Sequence, residues 1–372
     1  MKKILVTGAN GFIGKNLCAS LGLRADVEIL RLDKSSSEQE LRDFTREAEF
    51  IFHLAGVNRP NDESDFKKVN TDLTESIIKY LREYKSRAPI LITSSKQAEL
   101  DNPYGKSKRA AEGLVFDWAK ENGSGVFVYR LPNVFGKWCR PNYNSVVATF
   151  CHNIATYQPI SINDPATELG LVYIDDVVRS FIGALQGEVR PESDNYCRIE
   201  NVFKVTLKEL SDKIYAFMDS RTSLRLPNLE SDFDRYLYAT FVSHLDPQSL
   251  GYKLLMRSDD RGWLAEFIKS NHMGQIFVSR TKPGITRGNH WHHTKIEKFL
   301  VVQGSAVIRF KHLDGGDIIS YEVSGQELTV VDIPPGYSHN ISNTGQDDLI
   351  TIFWADEIFD PEKPDTNALE VK

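Results

Sequence analysis

The first two-thirds of the chain alternate short apolar runs with longer amphipathic stretches. The apolar runs have the length of buried parallel strands, and they lie at residues 3–7, 27–33, 50–54, 90–93 and 126–130. Helical patterns separate several of them, at 12–21, 64–85 and 105–121. This alternation of strand and helix predicts an α/β domain with a doubly wound parallel sheet.

The pattern changes past residue 245. The segments that follow are short and rich in valine and isoleucine, with glycine, proline, asparagine and aspartate between them, at 274–279, 297–302, 306–311, 318–323 and 327–333. Such a pattern predicts an all-β antiparallel barrel or jelly roll. Because residues 244–251 contain proline, glycine and serine, we place the boundary there and predict two domains, 1–245 and 246–372.

Composition narrows the class of protein. The 372 residues are 41% apolar, which is enough for more than one core. The net charge is −6 and no basic run occurs, so nucleic-acid binding is not expected. Four widely spaced cysteines without a CxxC pair predict reduced thiols in a cytoplasmic protein. Gly8 and Gly11 break the apolar start, so we expect neither a signal peptide nor a membrane span.

Three glycines at positions 8, 11 and 14 connect the first predicted strand to the first helix. Glycine there permits a tight turn and close approach of a pyrophosphate, whose charge the helix N-terminus attracts. A glycine triplet alone is weak evidence, but its place at the first strand–helix junction makes it strong. We therefore predict a Rossmann-type dinucleotide site formed by Gly8, Asn10, Gly11, Phe12, Ile13 and Gly14.

The end of the second predicted strand bears on the choice of cofactor. Asp33 lies 19 residues after Gly14, where a carboxylate would hold an adenosine ribose. Lys34 and Arg31 offer cations that could instead bind a 2′-phosphate. The carboxylate favours NAD and the cations favour NADP, so the residues leave both open. The residues that close the third strand are also expected along the cofactor: Leu54, Ala55 and Gly56.

Tyr104 and Lys108 form a Tyr-x-x-x-Lys pair whose spacing puts both side chains on one face of a helix. A neighbouring ammonium lowers the pKa of a phenol, so the tyrosine can give or take a proton at a carbonyl. Ser95 follows the strand at 90–93 and can hydrogen-bond the same oxygen, with Ser94 as the weaker candidate. Near the glycine loop, this set predicts a reductase site in which Tyr104 and Lys108 also contact the cofactor.

The N-terminal part resembles the extended short-chain dehydrogenase/reductase family. The resemblance covers residues 1–243 and is carried by Ser95, Tyr104, Lys108, TGANGFIG at 7–14, HLAG at 53–56 and RLPNVFG at 130–136. It implies a nicotinamide cofactor and a nucleotide-sugar substrate. Dehydratases of the family carry an Asp-Glu pair directly after the catalytic hydroxyl residue, where this chain has Lys96-Gln97. We therefore favour carbonyl reduction over dehydration.

Four residues of the C-terminal part match the spacing of metal-ligand motifs. His290, His292 and Glu297 fit the first cupin motif, and His339 fits the core of the second. Alternation along a strand places His290 and His292 on one face, while His293 points the other way. Three imidazoles and a carboxylate suit zinc or another divalent first-row metal. The four residues therefore predict a metal site in this domain.

DRG at 260–262, AEF at 265–267 and RGNH at 287–290 resemble cupin epimerases, which invert carbons beside a 4-keto group. Such a reaction requires removal of an acidic C–H next to the ketone, and a metal can stabilise the resulting enolate as a Lewis acid. The base stays open, and Lys298 and Tyr337 are its candidates.

The whole chain resembles the bifunctional capsular-polysaccharide enzymes that make the precursor of UDP-N-acetyl-L-fucosamine. The segments that carry this resemblance are GVNRP at 56–60, NPYGKSK at 102–108, FGKWCRPNYNSV at 135–146, NVFKVTL at 201–207 and GNHWHHTK at 288–295. It implies that the cupin epimerises C3 of a UDP-4-keto-6-deoxy-N-acetylhexosamine. The reductase would then reduce C4 with NADPH, NADH not being excluded, to UDP-N-acetyl-6-deoxy-L-talosamine. It also implies a homodimer or larger assembly.

Two other functions are considered. The chain could be a nucleotide-sugar 4-epimerase or dehydratase with a passive cupin; an epimerase would retain its cofactor, whereas a reductase consumes NADPH in proportion to product. It could also be a sensor that binds the nucleotide without reaction. Sensors of this fold usually lose the Tyr-Lys pair, and Tyr104 and Lys108 are present.

Overall fold

The computed structural model describes residues 1–58 and 62–372. The chain divides into two compact units, Met1–Ile214 with Asp232–Asp246, and Tyr215–Ser231 with Pro247–Lys372. The GVNRP segment at 56–60 lies partly outside the described residues. Among the described helices, none combines the length and apolar character that crossing a membrane requires. All four cysteines are buried free thiols.

The N-terminal unit is built on a parallel sheet with strand order β2-β1-β3-β4-β5-β8, and β6, β7 and β9 form a second, smaller sheet. The strands are β1 (Lys2–Thr7), β2 (Val27–Leu32), β3 (Phe50–His53), β4 (Ile90–Ser95), β5 (Val126–Leu131), β6 (Asn133–Phe135), β7 (Glu168–Tyr173), β8 (Tyr196–Cys197) and β9 (Phe203–Thr206). Every strand pair of the larger sheet is parallel. The predicted Rossmann-type sheet is confirmed.

Helices pack against this sheet and bury its apolar residues. Those that do so are α1 (Phe12–Leu21), α2 (Glu38–Glu47), α3 (Leu73–Glu83), α4 (Pro103–Asn122) and α6 (Ile174–Gln186), and further helices are α5 (Val146–Ala155), α7 (Leu207–Ser223) and α8 (Asp232–Ser243). One core cluster joins Leu5, Ile51 and Ile92 of the strands to Ile77 and Trp118 of α3 and α4. Burial of these side chains is the main stabilising contribution of the sheet–helix layers.

The C-terminal unit is an antiparallel jelly roll of the cupin type. Its strands are β10 (Met256–Asp259), β11 (Gly262–Ser270), β12 (Gly274–Thr281), β13 (Thr286–Trp291), β14 (Glu297–Gln303), β15 (Ser305–His312), β16 (Ile319–Ser324), β17 (Val330–Ile333), β18 (Tyr337–Asn343), β19 (Leu349–Ala355) and β20 (Asn367–Ala368). They form two sheets, β10-β11-β12-β19-β14-β17 and β16-β15-β18-β13-β20. A shared core that includes Phe299, Ile308, Ile341 and Phe353 lies between the sheets, so the predicted all-β domain is confirmed.

Residues 215–231 belong to the C-terminal unit, although α8, which follows them in the chain, belongs to the N-terminal unit. The backbone N–H of Leu226 donates to the carbonyl of Lys269, and the N–H of Lys269 donates to the carbonyl of Leu224, each at 2.8 Å. This segment therefore extends the edge of the C-terminal unit at β11.

Candidate functional site

The glycine loop between β1 and α1 has no room for a side chain at Gly8 or at Gly14. Gly8 has φ +67°, and a Cβ there would lie 2.8 Å from the backbone nitrogen of Ala55. A Cβ on Gly14 would lie 2.1 Å from the carbonyl oxygen of Gly8. Ala55 is held in turn by its N–H, which donates to Thr7 Oγ1 at 3.2 Å. The structure thus brings the predicted residues 8–14 and 54–56 together at one edge of the sheet.

Gly14→Ala is expected to raise the dissociation constant for NADPH at least tenfold. The added methyl group would push Gly8 out of the position in which its backbone can approach a pyrophosphate. Isothermal titration would measure the change. Gly113→Ala in α4 is the control, since a Cβ there meets nothing within 4 Å; unchanged affinity in Gly14→Ala would contradict the assignment of the loop.

Asp33 is already engaged by neighbouring protein groups. It accepts hydrogen bonds from the backbone N–H and the hydroxyl of Ser35, at 2.8 and 2.6 Å, and from the amide of Asn10. The bonds from Ser35, followed by that from Asn10, lower the pKa of Asp33. Lys34 is exposed, and Arg31 lines a groove of about 280 Å³ together with Asn10, so cations stand beside the carboxylate.

Ser95 ends β4 and Tyr104 lies in the first turn of α4, and the hydroxyl of Ser95 lies close enough to the phenol of Tyr104 to lower its pKa. The hydroxyl of Ser94 instead donates to the buried carboxylate of Glu112. Asn102 caps α4, because its side chain accepts from the N–H of Gly105 at 2.7 Å, and this fixes the start of the helix. The structure therefore places Ser95, rather than Ser94, beside Tyr104.

The pKa shifts of Tyr104 and Lys108 differ from those expected for an isolated Tyr-Lys pair. Burial raises the pKa of Tyr104, and the nearby hydroxyl of Ser95 partly offsets that effect. The ammonium of Lys108 donates to the carbonyl of Thr93 at 3.1 Å, and burial lowers the pKa of Lys108 to about 8. A Cβ on Gly56 would lie 2.8 Å from Lys108 Nζ. Lys108 thus sits next to the loop that is expected along the cofactor.

Two buried polar residues that sequence reasoning did not assign hold this site in place. His53 lies between Thr7 Oγ1 and Thr74 Oγ1, at 2.8 and 2.9 Å, and burial lowers its pKa to about 3, so the ring is neutral. Asn70 bonds both backbone groups of Val57 and donates to Ser107 Oγ at 3.0 Å. The HLAG segment is a sequence signal that could have pointed to His53. For Asn70, the sequence contains no motif that would have identified it.

A buried carboxylate anchors the inner face of α4. Glu112 is 2% exposed and accepts two hydrogen bonds from Arg130, at 2.7 and 3.0 Å. Tyr196 donates to the same carboxylate at 3.1 Å. This network ties α4, which carries Tyr104 and Lys108, to β5 and β8.

We expect Glu112→Ala to lower the free energy of unfolding of the N-terminal unit by about 3 kcal/mol, because it leaves the guanidinium of Arg130 without its buried partner. Urea denaturation followed by circular dichroism would measure the loss. Glu121→Ala, which removes an exposed ion pair with Arg82, should cost far less. Equal losses in both variants would show that burial of the pair is unimportant.

The four predicted metal ligands converge within the C-terminal unit. His290 lies on β13, His292 just after it, Glu297 at the start of β14 and His339 on β18. Their ligand atoms all lie within 4.8 Å of one another. Glu297 Oε2 is 3.2 Å from Nε2 of both His292 and His339. His293 is exposed and its ring lies against Trp291, so it takes no part in the cluster.

Hydrogen bonds behind the cluster orient its imidazoles. His292 Nδ1 donates to the carbonyl of Asp365, and His339 Nδ1 donates to the carbonyl of Tyr337 at 3.3 Å. The carboxylate of Asp365 also accepts from the backbone N–H groups of residues 293–295, at 2.8, 2.9 and 3.1 Å. Asp365 therefore fixes both one ligand and the turn that follows it, as outer-shell residues of metal sites do.

The donor set fits a divalent cation. Nε2 of His339 is buried and has no hydrogen-bond partner, although it faces Glu297. Burial lowers the pKa of His290 to about 4, so this imidazole is neutral, as a ligand must be. Burial opposes ionisation of Glu297, but its contacts with His292 and His339 outweigh burial and hold its pKa at about 2. Three imidazoles and a carboxylate suit zinc or another first-row metal.

A cavity of about 170 Å³ opens beside the cluster. Lys298 does not line it, because this side chain leaves the opposite face of β14 and pairs with Asp332. Tyr337 does not line it either, and its ring packs against His312. Neither candidate base is therefore supported by its position.

Comparison with known proteins identifies the class. Residues 4–196 match the NAD dependent epimerase/dehydratase family, and residues 257–367 match the polysaccharide biosynthesis C-terminal domain. The chain belongs to the NAD dependent epimerase/dehydratase family, with that second domain after it.

Three individual proteins resemble this chain in sequence or in structure. The chain is 44% identical over 369 residues to the UDP-2-acetamido-2,6-beta-L-arabino-hexul-4-ose reductase of Pseudomonas aeruginosa, covering 99% of both chains. Its structure is similar to that of the capsular polysaccharide assembling protein CapF from Staphylococcus aureus, with a TM-score of 0.93, 48% identity and 99% and 100% coverage. The spore coat polysaccharide biosynthesis protein SpsL of Bacillus subtilis is 26% identical over 127 residues, which are 32% of this chain and 84% of SpsL.

Proposed function

We propose that the chain is a bifunctional UDP-sugar enzyme of capsular polysaccharide synthesis. Its metal-binding part epimerises C3 of a UDP-4-keto-6-deoxy-N-acetylhexosamine. Its reductase part then reduces the C4 ketone with NADPH to UDP-N-acetyl-6-deoxy-L-talosamine, on the route to UDP-N-acetyl-L-fucosamine. The full-length relationship to the Pseudomonas aeruginosa 4-ketohexulose reductase supports this substrate class, and we assign reduction to residues 1–245 and epimerisation to 246–372.

The observation that carries the reductase assignment is the position of Tyr104 next to Ser95 and one helical turn from Lys108. Ser95 would hold the ketone oxygen by a hydrogen bond. Tyr104 would give its phenolic proton to that oxygen, while the nicotinamide cofactor, when bound, supplies the hydride to the carbon. The positive charge of Lys108 stabilises the phenolate that remains.

The surroundings of Ser95 favour reduction over dehydration. Expulsion of water from a sugar requires an acid close to the reacting carbons. Lys96 and Gln97 follow Ser95 directly, and the next carboxylate, Glu99, pairs with Arg130 at 3.1 Å. The acid pair of a dehydratase is therefore not present after Ser95.

NADPH is the proposed cofactor. Asp33 is occupied by Ser35 and Asn10, whereas Lys34 is exposed and Arg31 lines a groove beside Asn10. Free cations attract the 2′-phosphate that distinguishes NADPH from NADH. The ratio of kcat/KM for the two cofactors tests this choice.

The metal-ligand cluster supports the epimerase assignment. A divalent metal held by His290, His292, Glu297 and His339 would act as a Lewis acid toward a carbonyl oxygen. Epimerisation precedes reduction, because the C4 ketone is what makes the C3–H bond acidic. The family resemblance also implies a homodimer, which analytical ultracentrifugation would test.

The deciding experiment incubates the protein with NADPH and the UDP-4-keto-sugar and follows the product by NMR. We expect one NADPH consumed per product molecule, inversion at C3 and a hydroxyl at C4. Product without net consumption of NADPH would instead support a 4-epimerase or dehydratase with a passive cupin.

A further inference from the structure

The cavity beside the metal-ligand cluster contains charged groups that are not ligands. Outside the four cluster residues, the charged side chains that line it are Arg257, Glu266 and Lys295. The cavity holds about 170 Å³, less than the roughly 300 Å³ at which pockets for drug-sized ligands begin. It therefore suits one sugar ring, with the nucleotide outside.

Lys295 is the buried basic residue in the lining of this cavity. The residue is 4% exposed, and its backbone N–H is fixed by Asp365 at 3.1 Å. Its ammonium lies 3.4 Å from a carboxylate oxygen of Glu357, which is 45% exposed, and 5.9 Å from the centre of the Phe359 ring. An ammonium has three hydrogen-bond donors, and among the described residues the one ion pair of Lys295 is with the partly exposed Glu357, so Lys295 can also donate to a polar oxygen of a ligand in this cavity.

Glu266 faces the same cavity from β11. A β-bulge interrupts the pairing of β11 with β12 between Glu266 and Ile268, and bulges often redirect a side chain next to an active site. The carboxylate is 22% exposed, lies 2.9 Å from Lys269 and 4.0 Å from Arg257. The carboxylate thus lies between two cations in the lining of the cavity, outside the metal-ligand set.

We propose that Glu266 and Lys295 are the catalytic residues of the epimerisation, an inference that rests on the function proposed above. The C3–H bond breaks and its proton passes to the carboxylate of Glu266. The electron pair of that bond forms a C3=C4 double bond, and the carbonyl π pair moves to the C4 oxygen. The ammonium of Lys295 stabilises this oxyanion, as fixed charges do in a cavity of low dielectric constant.

Return of a proton to the opposite face of C3 completes the inversion. The new C3–H bond takes its electron pair from the double bond, and the oxyanion reforms the ketone. The proton comes from water, so Glu266 loses its proton to solvent before the next turnover. The step is redox-neutral and needs no nicotinamide.

The test measures C3 deuterium exchange of the UDP-4-keto-sugar in D2O without nicotinamide, using full-length protein. Lys295→Gln is expected to lower kcat for exchange about 100-fold or more with little change in KM, and Lys295→Arg should recover part of the loss because it keeps the charge. Glu266→Gln should abolish exchange. Lys298→Gln, on the outer face of β14, is the matched control and should behave as wild type.

Metal content by elemental analysis provides a second readout and should be equal in all these variants. Loss of metal in Lys295→Gln, a rise in KM without a fall in kcat, or exchange at the wild-type rate would overturn the inference. Absence of exchange in the wild type would overturn the epimerase function and this inference with it. Exchange in the wild type that is unaffected in Lys295→Gln and Glu266→Gln would overturn this inference alone.

Discussion

Tyr104→Phe is expected to lower NADPH consumption by about 10²- to 10⁴-fold, the usual contribution of a positioned general acid. The substitution removes only the phenolic hydroxyl, which meets Ser95, and leaves the ring against Phe66 at a centroid distance of 5.7 Å. Absorbance at 340 nm with the UDP-4-keto-sugar would follow the reaction.

The affinity for NADPH should change little in Tyr104→Phe, because the glycine loop and Lys108 are untouched. Tyr157→Phe is the control, since that ring is 85% exposed, and its turnover should equal that of the wild type. Turnover of Tyr104→Phe near the wild-type value would refute its role as the proton donor.

His339→Ala is expected to lose both the metal and C3 exchange. The imidazole is fully buried, and its unpaired Nε2 faces Glu297, so its removal takes away a ligand and leaves a hole in the cluster. The wild type should carry about one divalent metal per chain, and His339→Ala or His290→Ala should carry much less. Elemental analysis and deuterium incorporation would measure the two losses.

His293→Ala is the matched control for this prediction, because His293 directly follows the predicted ligand His292 in the chain but is exposed. It should retain metal and exchange. NADPH binding should survive in His339→Ala, and exchange should survive in Tyr104→Phe. If exchange vanished in Tyr104→Phe and persisted in His339→Ala, the two reactions would have been assigned to the wrong parts of the chain.

Full-length variants are preferable to an isolated fragment for this comparison. A fragment that starts at residue 246 lacks residues 215–231, whose backbone bonds to Lys269. Lys269 in turn contacts Glu266 at 2.9 Å, beside the cavity. The fragment would therefore expose an edge that the whole chain covers.

Ten strands, β1–β5, β12 and β14–β17, could be predicted from apolar runs, because burial between layers imposes that pattern, whereas the other strands were not predicted in this way. Helices α2, α5, α6, α7 and α8 were not predicted. The sequence of α2 is polar, and only Leu41 and Thr45 are buried. A local signal was available, since Ser37 and Glu40 form a capping box. The predicted helix at 64–85 contains a π-helix over Phe66–Asp72, and Asn70 in this stretch makes tertiary hydrogen bonds to Val57 and Ser107.

The candidate residues of the sites could be predicted because short motifs bring them close in sequence or on one face. The residues that orient or bury these candidates could not be predicted. Asp365 contacts residues more than 70 positions earlier, and the burial of Lys295 depends on the segment that contains Glu357 and Phe359. The candidates Lys298 and Tyr337 were chosen by proximity in sequence, and strand alternation turns Lys298 to the outside.

Asp365 acts on the metal-ligand cluster in two ways, and substitution of its side chain would reveal only one of them. Its carboxylate holds the turn at 293–295, and this contribution disappears when the side chain is replaced. Its carbonyl orients His292, and every amino acid supplies a carbonyl. A scan of substitutions at position 365 would therefore record only the tolerance of the turn. The orientation of the ligand is encoded in the path of the backbone, and only changes that move this path would reveal it.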